Sequence, residues 1–486
     1  MIYKLRPYQE ECVKSISDYI NPDRHDPVLI VGPVGCGKSL LIAEAARLMG
    51  DKTLILQPSK ELLQQNHNKI TSYGIPATIY SASCGKKELS NMIYATLGSI
   101  KKVVGQLKEM GIRNVLIDEA HAGYSPEDGS EFMTFMNELK PKKVIGFTAT
   151  PCRLKTMSIG QVSYSQLNFI TRMRPVYFKN LIHVIQVEEM IRQGFWTPLK
   201  YETWDFNGDA LKLNSNGSEY TAESISEAVR KNGLNNLILR RLMVLKDVCR
   251  SILVFMDSVE SCNTAAEWMN AKICAGMAEV VHGGTPKKQR EAIVEGFKSG
   301  KTKVVFNYSA LGTGFDHPGL DCVIVGRPTF SFSSFYQWLG RAVRIKDGKD
   351  SALVVDCCNN SSRFGDIRKL SIENYKGYGW GMFIGDKLIT NIPMGDKVTK
   401  TDLDIKAAKK DRRRGLAQGV TAAPVPGRPD HPLGSTVMTF GKYCGWMFHS
   451  IPVSYFKFIN ETFDWDNDRN KDIKEYIDFL IKNNRL

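Results

Sequence analysis

The octapeptide Gly32-Pro33-Val34-Gly35-Cys36-Gly37-Lys38-Ser39 has the spacing G-x-x-x-x-G-K-[ST]. A short apolar run, Val28-Leu29-Ile30-Val31, precedes it, and Leu40 to Ala46 follows with helical character. Glycines so placed let backbone N–H groups curl around an anion, and the first turn of the helix adds the positive end of its dipole. The expected ligand is ATP. Gly35, Cys36 and Gly37 then wrap the phosphates, Lys38 reaches the β- and γ-phosphates, and the Ser39 hydroxyl holds Mg2+.

Asp118-Glu119-Ala120-His121 follows the apolar stretch Asn114-Val115-Leu116-Ile117. Two adjacent acids taken alone describe an ordinary turn. Downstream of a phosphate loop, at the tip of a strand, they describe a hydrolytic pair. Asp118 is expected to hold Mg2+ through water. Glu119 is expected to orient and deprotonate the attacking water. A protein that merely binds nucleotide has no need of Glu119.

Something must hold these groups in place. Val28 to Val31, Thr53 to Leu56, Val115 to Ile117 and Val144 to Phe147 are short apolar runs separated by helical patterns. That rhythm implies a parallel sheet covered on both faces. It returns at Ser251 to Phe255, Val280-Val281, Lys303 to Phe306, Cys322 to Val325 and Ala352 to Val355. The fold class is therefore α/β, with two parallel-sheet domains in tandem and a small C-terminal module. Gly194 and Pro198 break a helical segment and put the join near residues 194–201. The expected bounds are 1–197 for the first domain and 198–398 for the second. A basic, then Pro-rich linker covers 399–435, and the module covers 436–486. The last helix of the module spaces Ile473, Tyr476, Ile477, Leu480 and Ile481 as one apolar stripe.

The formal charge is +14, from 65 Lys and Arg against 51 Asp and Glu, which suits a polyanionic partner. No apolar run approaches the roughly 18 residues that span a membrane, and the first residues do not read as a signal peptide. The 11 cysteines include no CxxC pair and read as reduced, mostly buried thiols. They fit a reducing compartment.

From here the sequence resembles the superfamily 2 helicases of the DEAH-box type, and the matching motifs come in order. Leu5-Arg6-Pro7-Tyr8-Gln9 resembles the family's adenine-recognition motif, which implies nucleotide contacts from Arg6 and Gln9. Pro58-Ser59-Lys60-Glu61-Leu62 and Thr96-Leu97-Gly98-Ser99 resemble its nucleic-acid contact motifs, implying backbone phosphate contacts from Pro58, Ser59, Lys60, Thr96 and Ser99. Thr148-Ala149-Thr150-Pro151 resembles the motif that couples hydrolysis to strand movement. Tyr308 to Asp316 resembles the motif that touches both ligands, which implies Thr313 on nucleic acid and Gly314 and Asp316 on nucleotide. Gln337-Trp338-Leu339-Gly340-Arg341-Ala342-Val343-Arg344 fits QxxGRxxR. Alone it would read as an amphipathic helix with two exposed arginines. The resemblance instead implies catalytic roles for Gln337, Arg341 and Arg344, with both arginines facing the γ-phosphate. It also implies two RecA-like domains, and it covers about residues 1–360.

Within that superfamily the sequence is most similar to RadD-like bacterial repair helicases and phage-encoded relatives, through Thr148 to Leu154, Gly194 to Pro198, Thr313 to Pro318 and Arg327-Pro328-Thr329. It lacks the cysteine-rich zinc region those proteins carry after the motor. Met438 to Trp446 is similar to a small FGKYKG-type module. Lys442, Tyr443 and Trp446 there could stack on bases or form core. Ser158 to Lys179 has no assigned role.

The resemblance implies an ATP-dependent helicase or remodeller of forked, branched or single-stranded DNA in replication, recombination or repair. Proteins of those processes are expected partners. A duplex translocase is the first alternative, an RNA helicase the second, with DNA favoured over RNA. A scaffold with a dead motor comes last, because Lys38, Glu119 and Arg344 are intact.

Overall fold

The computed structural model describes residues 4–21, 24–50, 52–159, 162–311, 315–407, 433, 436, 438, 443, 446–448, 451, 453–462 and 471–483. Two compact units emerge: Met1–Tyr375 with Gly379–Val398, and Lys376–Tyr378 with Thr399–Leu486.

The first unit holds two α/β domains. Strands β1 (Val28–Val31), β2 (Thr53–Leu56), β3 (Thr78–Ser81), β4 (Lys86–Lys87), β5 (Met92–Ala95), β6 (Asn114–Ile117), β7 (Lys143–Thr148) and β10 (Asn180–Val184) form one sheet, in the order β10-β1-β7-β6-β2-β5-β3-β4. All its pairs are parallel except β3 with β4. Between β7 and β10 stands an antiparallel hairpin of β8 (Cys152–Ile159) and β9 (Val162–Phe169). The second sheet is wholly parallel, in the order β11-β16-β15-β12-β14-β13, built from β11 (Leu199–Thr203), β12 (Ile252–Phe255), β13 (Ala278–His282), β14 (Val304–Tyr308), β15 (Cys322–Val325) and β16 (Ala352–Asp356). A meander of β17 (Leu370–Tyr375), β18 (Gly379–Ile384) and β19 (Lys387–Leu388) follows.

Burial explains the sequence pattern. Every residue of β1, β2, β6, β12 and β15 is buried, because helices cover both faces, so these strands read as apolar runs. Helices start where a hydroxyl can cap them. Ser59 accepts from Leu62 N at 3.3 Å to open Lys60–Ser72, and Ser331 accepts from Ser334 N at 3.2 Å to open Phe332–Leu339. One buried apolar cluster runs through both domains by way of Trp196, Tyr336 and Val343.

The stretch 158–179 acquires a structure. It contains most of the β8–β9 hairpin, and Phe169 and Phe178 are buried. Tyr177 meets the edges of Phe132 and Phe178, so these aromatics pack on the first domain. In the second unit, residues 400–407 are helical, and helices Val453–Thr462 and Lys471–Lys482 follow. Ile473, Tyr476, Ile477 and Leu480 join its core with Met438, Phe448, Ile451, Phe456 and Ile459. Ile481 departs from the expected stripe. It lies one turn beyond Ile477 at the helix end and is 48% exposed. Lys442 and the Pro-rich stretch lie outside the described residues. Among the described residues no helix is long and apolar enough to cross a membrane.

Candidate nucleotide site between the two motor domains

The octapeptide follows β1 and the acidic turn follows β6, with β7 between them in the sheet. Both strands run the same way, so both tips open into one cleft. Gly35 and Gly37 have φ of +84° and +82°, values that favour glycine. They bend the loop so that the helix Lys38–Met49 begins at the cleft.

There Lys38 Nζ lies 3.0 Å from Asp118 Oδ1 and also meets Glu119 Oε1. Burial opposes the ammonium, but the two carboxylates outweigh it and hold Lys38 above the ordinary lysine range. Asn66 Nδ2 donates to Asp118 Oδ2 at 2.9 Å, and Glu119 N donates to Asp118 Oδ1 at 2.9 Å. Glu119 has φ of +47°, a strained conformation for a side chain of this kind that costs roughly 1–3 kcal/mol. Ala120 N, donating to Phe147 O at 2.9 Å, fixes the turn. Glu119 Oε2 is buried without a hydrogen bond.

The facing wall comes from the second domain. Asp316, Gln337, Gly340, Arg341 and Arg344 line the same cavity as Arg6, Gln9, Lys38, Ser39, Asp118 and Glu119, and its volume is about 550 Å3. Arg341 Nη1 donates to Phe315 O at 2.7 Å. Arg344 Nη1 donates to the same carbonyl at 3.3 Å and pairs with Asp316. Burial, helped by the like charge of Arg344, pushes Arg341 down to about 9, which leaves it charged at neutral pH. Two contacts at the join steady this wall, one within the first domain and one across to the second. Trp196 Nε1 donates to Val34 O at 2.7 Å, and Thr197 N donates to Val343 O at 2.7 Å.

The amide of Gln9 is engaged at both ends. Nε2 donates to Cys36 O at 2.9 Å, and Oε1 accepts from Arg6 N at 2.9 Å. Cys36 itself turns inward, with a buried thiol that burial pushes up to about 12. Arg6 stacks 4.6 Å from the centre of the Phe195 ring, beside the cavity.

A second cavity, of about 520 Å3, adjoins this one through Glu119 and Gln337 and reaches Pro58, Ser59 and Ser333. His121 crosses the gap between the domains beside it. Its Nδ1 is 2.8 Å from Thr148 Oγ1, and its Nε2 is 3.1 Å from Ser333 Oγ. Thr150 Oγ1 also lies 3.1 Å from Ser333 Oγ. Burial first, then the cations of Lys38 and Arg153, push His121 down to about 3, so it is a neutral imidazole with two hydroxyl partners. Lys60 stands half-buried at the start of its helix. Thr96 and Ser99 bond each other at 3.1 Å, and Ser99 Oγ accepts from Ala82 N at 3.0 Å, beyond both cavities. Thr313 and Gly314 lie outside the described residues. Asn66 and Ser333 fall outside every motif, and no motif assigns His121 a role. His121 was visible in the acidic tetrapeptide. Asn66 and Ser333 carry no local signal, since their partners stand 52 and 212 residues away.

Residues 2–153 match the family described as type III restriction enzyme, res subunit, and residues 235–346 match the helicase conserved C-terminal domain. The chain carries a superfamily 2 helicase core. The two matches supply the two walls of the cleft, and they account for its cationic and acidic residues together. A 51.5 kDa protein of a Lactococcus phage is 25% identical to this helicase core over 332 residues, covering 68% of the present chain and 65% of the phage protein. IRC3 of Saccharomyces cerevisiae, provisionally designated an ATP-dependent helicase, is 24% identical over 279 residues, 57% of this chain and 38% of that protein. The chain thus spans less than two thirds of these relatives. Among solved structures, the type ISP restriction-modification enzyme LlaBIII bound to DNA aligns with a TM-score of 0.55 at 15% identity. The alignment covers 85% of this chain and 30% of LlaBIII. That likeness concerns the fold.

The residues of the cleft fit a magnesium nucleotide. Six cations, Lys4, Arg6, Lys38, Lys69, Arg341 and Arg344, line a cavity of a size ordinary for such ligands. Ser39 and Asp118 stand together in it as oxygen donors suited to Mg2+. Glu119 Oε2, buried without a hydrogen bond and 3.3 Å from His121 Nδ1, supplies an acceptor beside them.

Proposed function

We propose that this helicase core hydrolyses ATP with Mg2+ and spends the resulting domain motion on DNA, opening or remodelling forked or branched substrates. One observation carries the reading: Lys38, Asp118 and Glu119 of the first domain share a cleft with Gln337, Arg341 and Arg344 of the second. A nucleotide held there touches both domains, so hydrolysis changes how they pack. Bound MgATP supplies the phosphoryl group. Ser39 and Asp118 hold the metal, Glu119 accepts the proton of the attacking water, and the arginines stabilise charge that grows in the transition state.

His121, Ser333 and Thr150 carry the change of packing toward Pro58 and Ser59, which hold the nucleic-acid backbone with Lys60, Thr96, Ser99 and Thr313 in this reading. The charge of +14 supports a polyanionic track. The spelling of QxxGRxxR and Arg327-Pro328-Thr329 favours DNA over RNA. Replication or recombination proteins of a bacterial or infected-host cytoplasm are the partners this reading implies.

Strand displacement on forked DNA, blunt duplex DNA and forked RNA tests it. ATP-dependent opening of the DNA fork is expected. Motion along duplex without opening would favour a translocase, and opening confined to RNA would overturn the choice of substrate.

A further inference from the structure

Lys349 lies outside every motif described above, yet its ammonium is fully used within the second domain. Nζ donates to Ala342 O at 2.6 Å, Arg344 O at 2.8 Å and Pro318 O at 3.2 Å. Three acceptors use all three donors of a lysine. The helix Phe332–Leu339 ends at Gly340, so the carbonyls that follow have no helical partners. Gly348, with φ of +74°, turns the chain back so that Lys349 reaches them. Two of those carbonyls belong to the segment that carries Arg341 and Arg344. The third belongs to the loop whose Phe315 carbonyl and Asp316 carboxylate receive both guanidinium groups. Thr197 Oγ1 adds a bond to Arg344 O at 2.7 Å from the other side.

We propose that Lys349 is a positioning residue: it ties the arginine segment to the Phe315–Pro318 loop and so sets where Arg344 stands against the nucleotide. The proposal rests on the hydrolytic reading of the cleft.

The test is steady-state ATP hydrolysis by the full chain with saturating single-stranded DNA, for Lys349→Met, Arg344→Ala and the double variant. Lys349→Met should lower kcat about tenfold and leave the KM for ATP within about threefold, the pattern of a lost transition-state interaction. In the Arg344→Ala background it should add less than about twofold, because coupled residues are not additive. An equal loss of kcat in both backgrounds, or a rise in KM at constant kcat, overturns the proposal. Should Lys349→Met fail to fold, Lys349→Gln, which cannot bring three donors to one point, takes its place under the same criteria. Normal kcat in Arg344→Ala alone would instead sink the hydrolytic reading, and the proposal with it.

Discussion

Gly340 of the second domain lies so close to Val34 of the phosphate loop that a Cβ at position 340 would sit 2.6 Å from Val34 Cβ and Cγ2. The two walls of the nucleotide cleft meet at this point. Gly340 has φ of −60°, open to any residue, so glycine is required there by the contact and not by the backbone. Gly340→Ala is expected to push the walls apart and lower ATP turnover by about tenfold or more, since small misplacements at a reacting centre are costly. Val34→Gly in the same chain should recover part of the loss. Normal turnover in the single variant would mean that the walls need not meet so closely during hydrolysis.

Lys38 shows a different dependence. Its ammonium is shared by Asp118 and Glu119, so Lys38→Ala removes both the phosphate contact and the cation between two carboxylates. Turnover should fall below about a tenth of wild type, because such a contact is worth several kcal/mol in the transition state. DNA binding should stay within a few-fold. The melting temperature of the nucleotide-free variant should also drop, as buried carboxylates lose their partner. A variant that still hydrolyses ATP at a third of the normal rate would contradict the assignment.

Two histidines give the fold an acid limit. Burial pushes His121 down to about 3 and His317 down to about 4, from an ordinary 6.5. A group whose folded pKa is depressed binds its proton more weakly in the fold than in the unfolded chain. Its contribution is therefore complete above pH 6.5 and is lost as the pH falls through the range below. Melting temperature measured from pH 7.5 to pH 5 should decline. His317→Gln, which removes one such group beside Ser251, should make the decline shallower. Equal slopes for the two proteins would show that His317 titrates normally.

Much of this was legible in the sequence, for a physical reason. Strands such as β1, β6 and β12 are covered on both faces, so their burial is written as unbroken apolar runs. The phosphate loop is recognisable because its glycines, lysine and serine act within eight consecutive residues. The edge strand β10 was not legible, since Asn180 is exposed and the other four residues are half-buried. Nor were the contacts that assemble the cleft. Trp196 reaches Val34 across 162 residues and Ser333 reaches His121 across 212. Lys349 sits in a turn that reads as an ordinary solvated loop until its three carbonyl partners are seen.

ATP hydrolysis in the cleft should answer to nucleic acid. Steady-state hydrolysis of MgATP by the full chain, with and without single-stranded DNA, tests it most directly. DNA should raise kcat by about an order of magnitude or more, and Glu119→Gln should remove turnover in both conditions by taking away the base. Hydrolysis at one rate with and without DNA, or unchanged in Glu119→Gln, would contradict it.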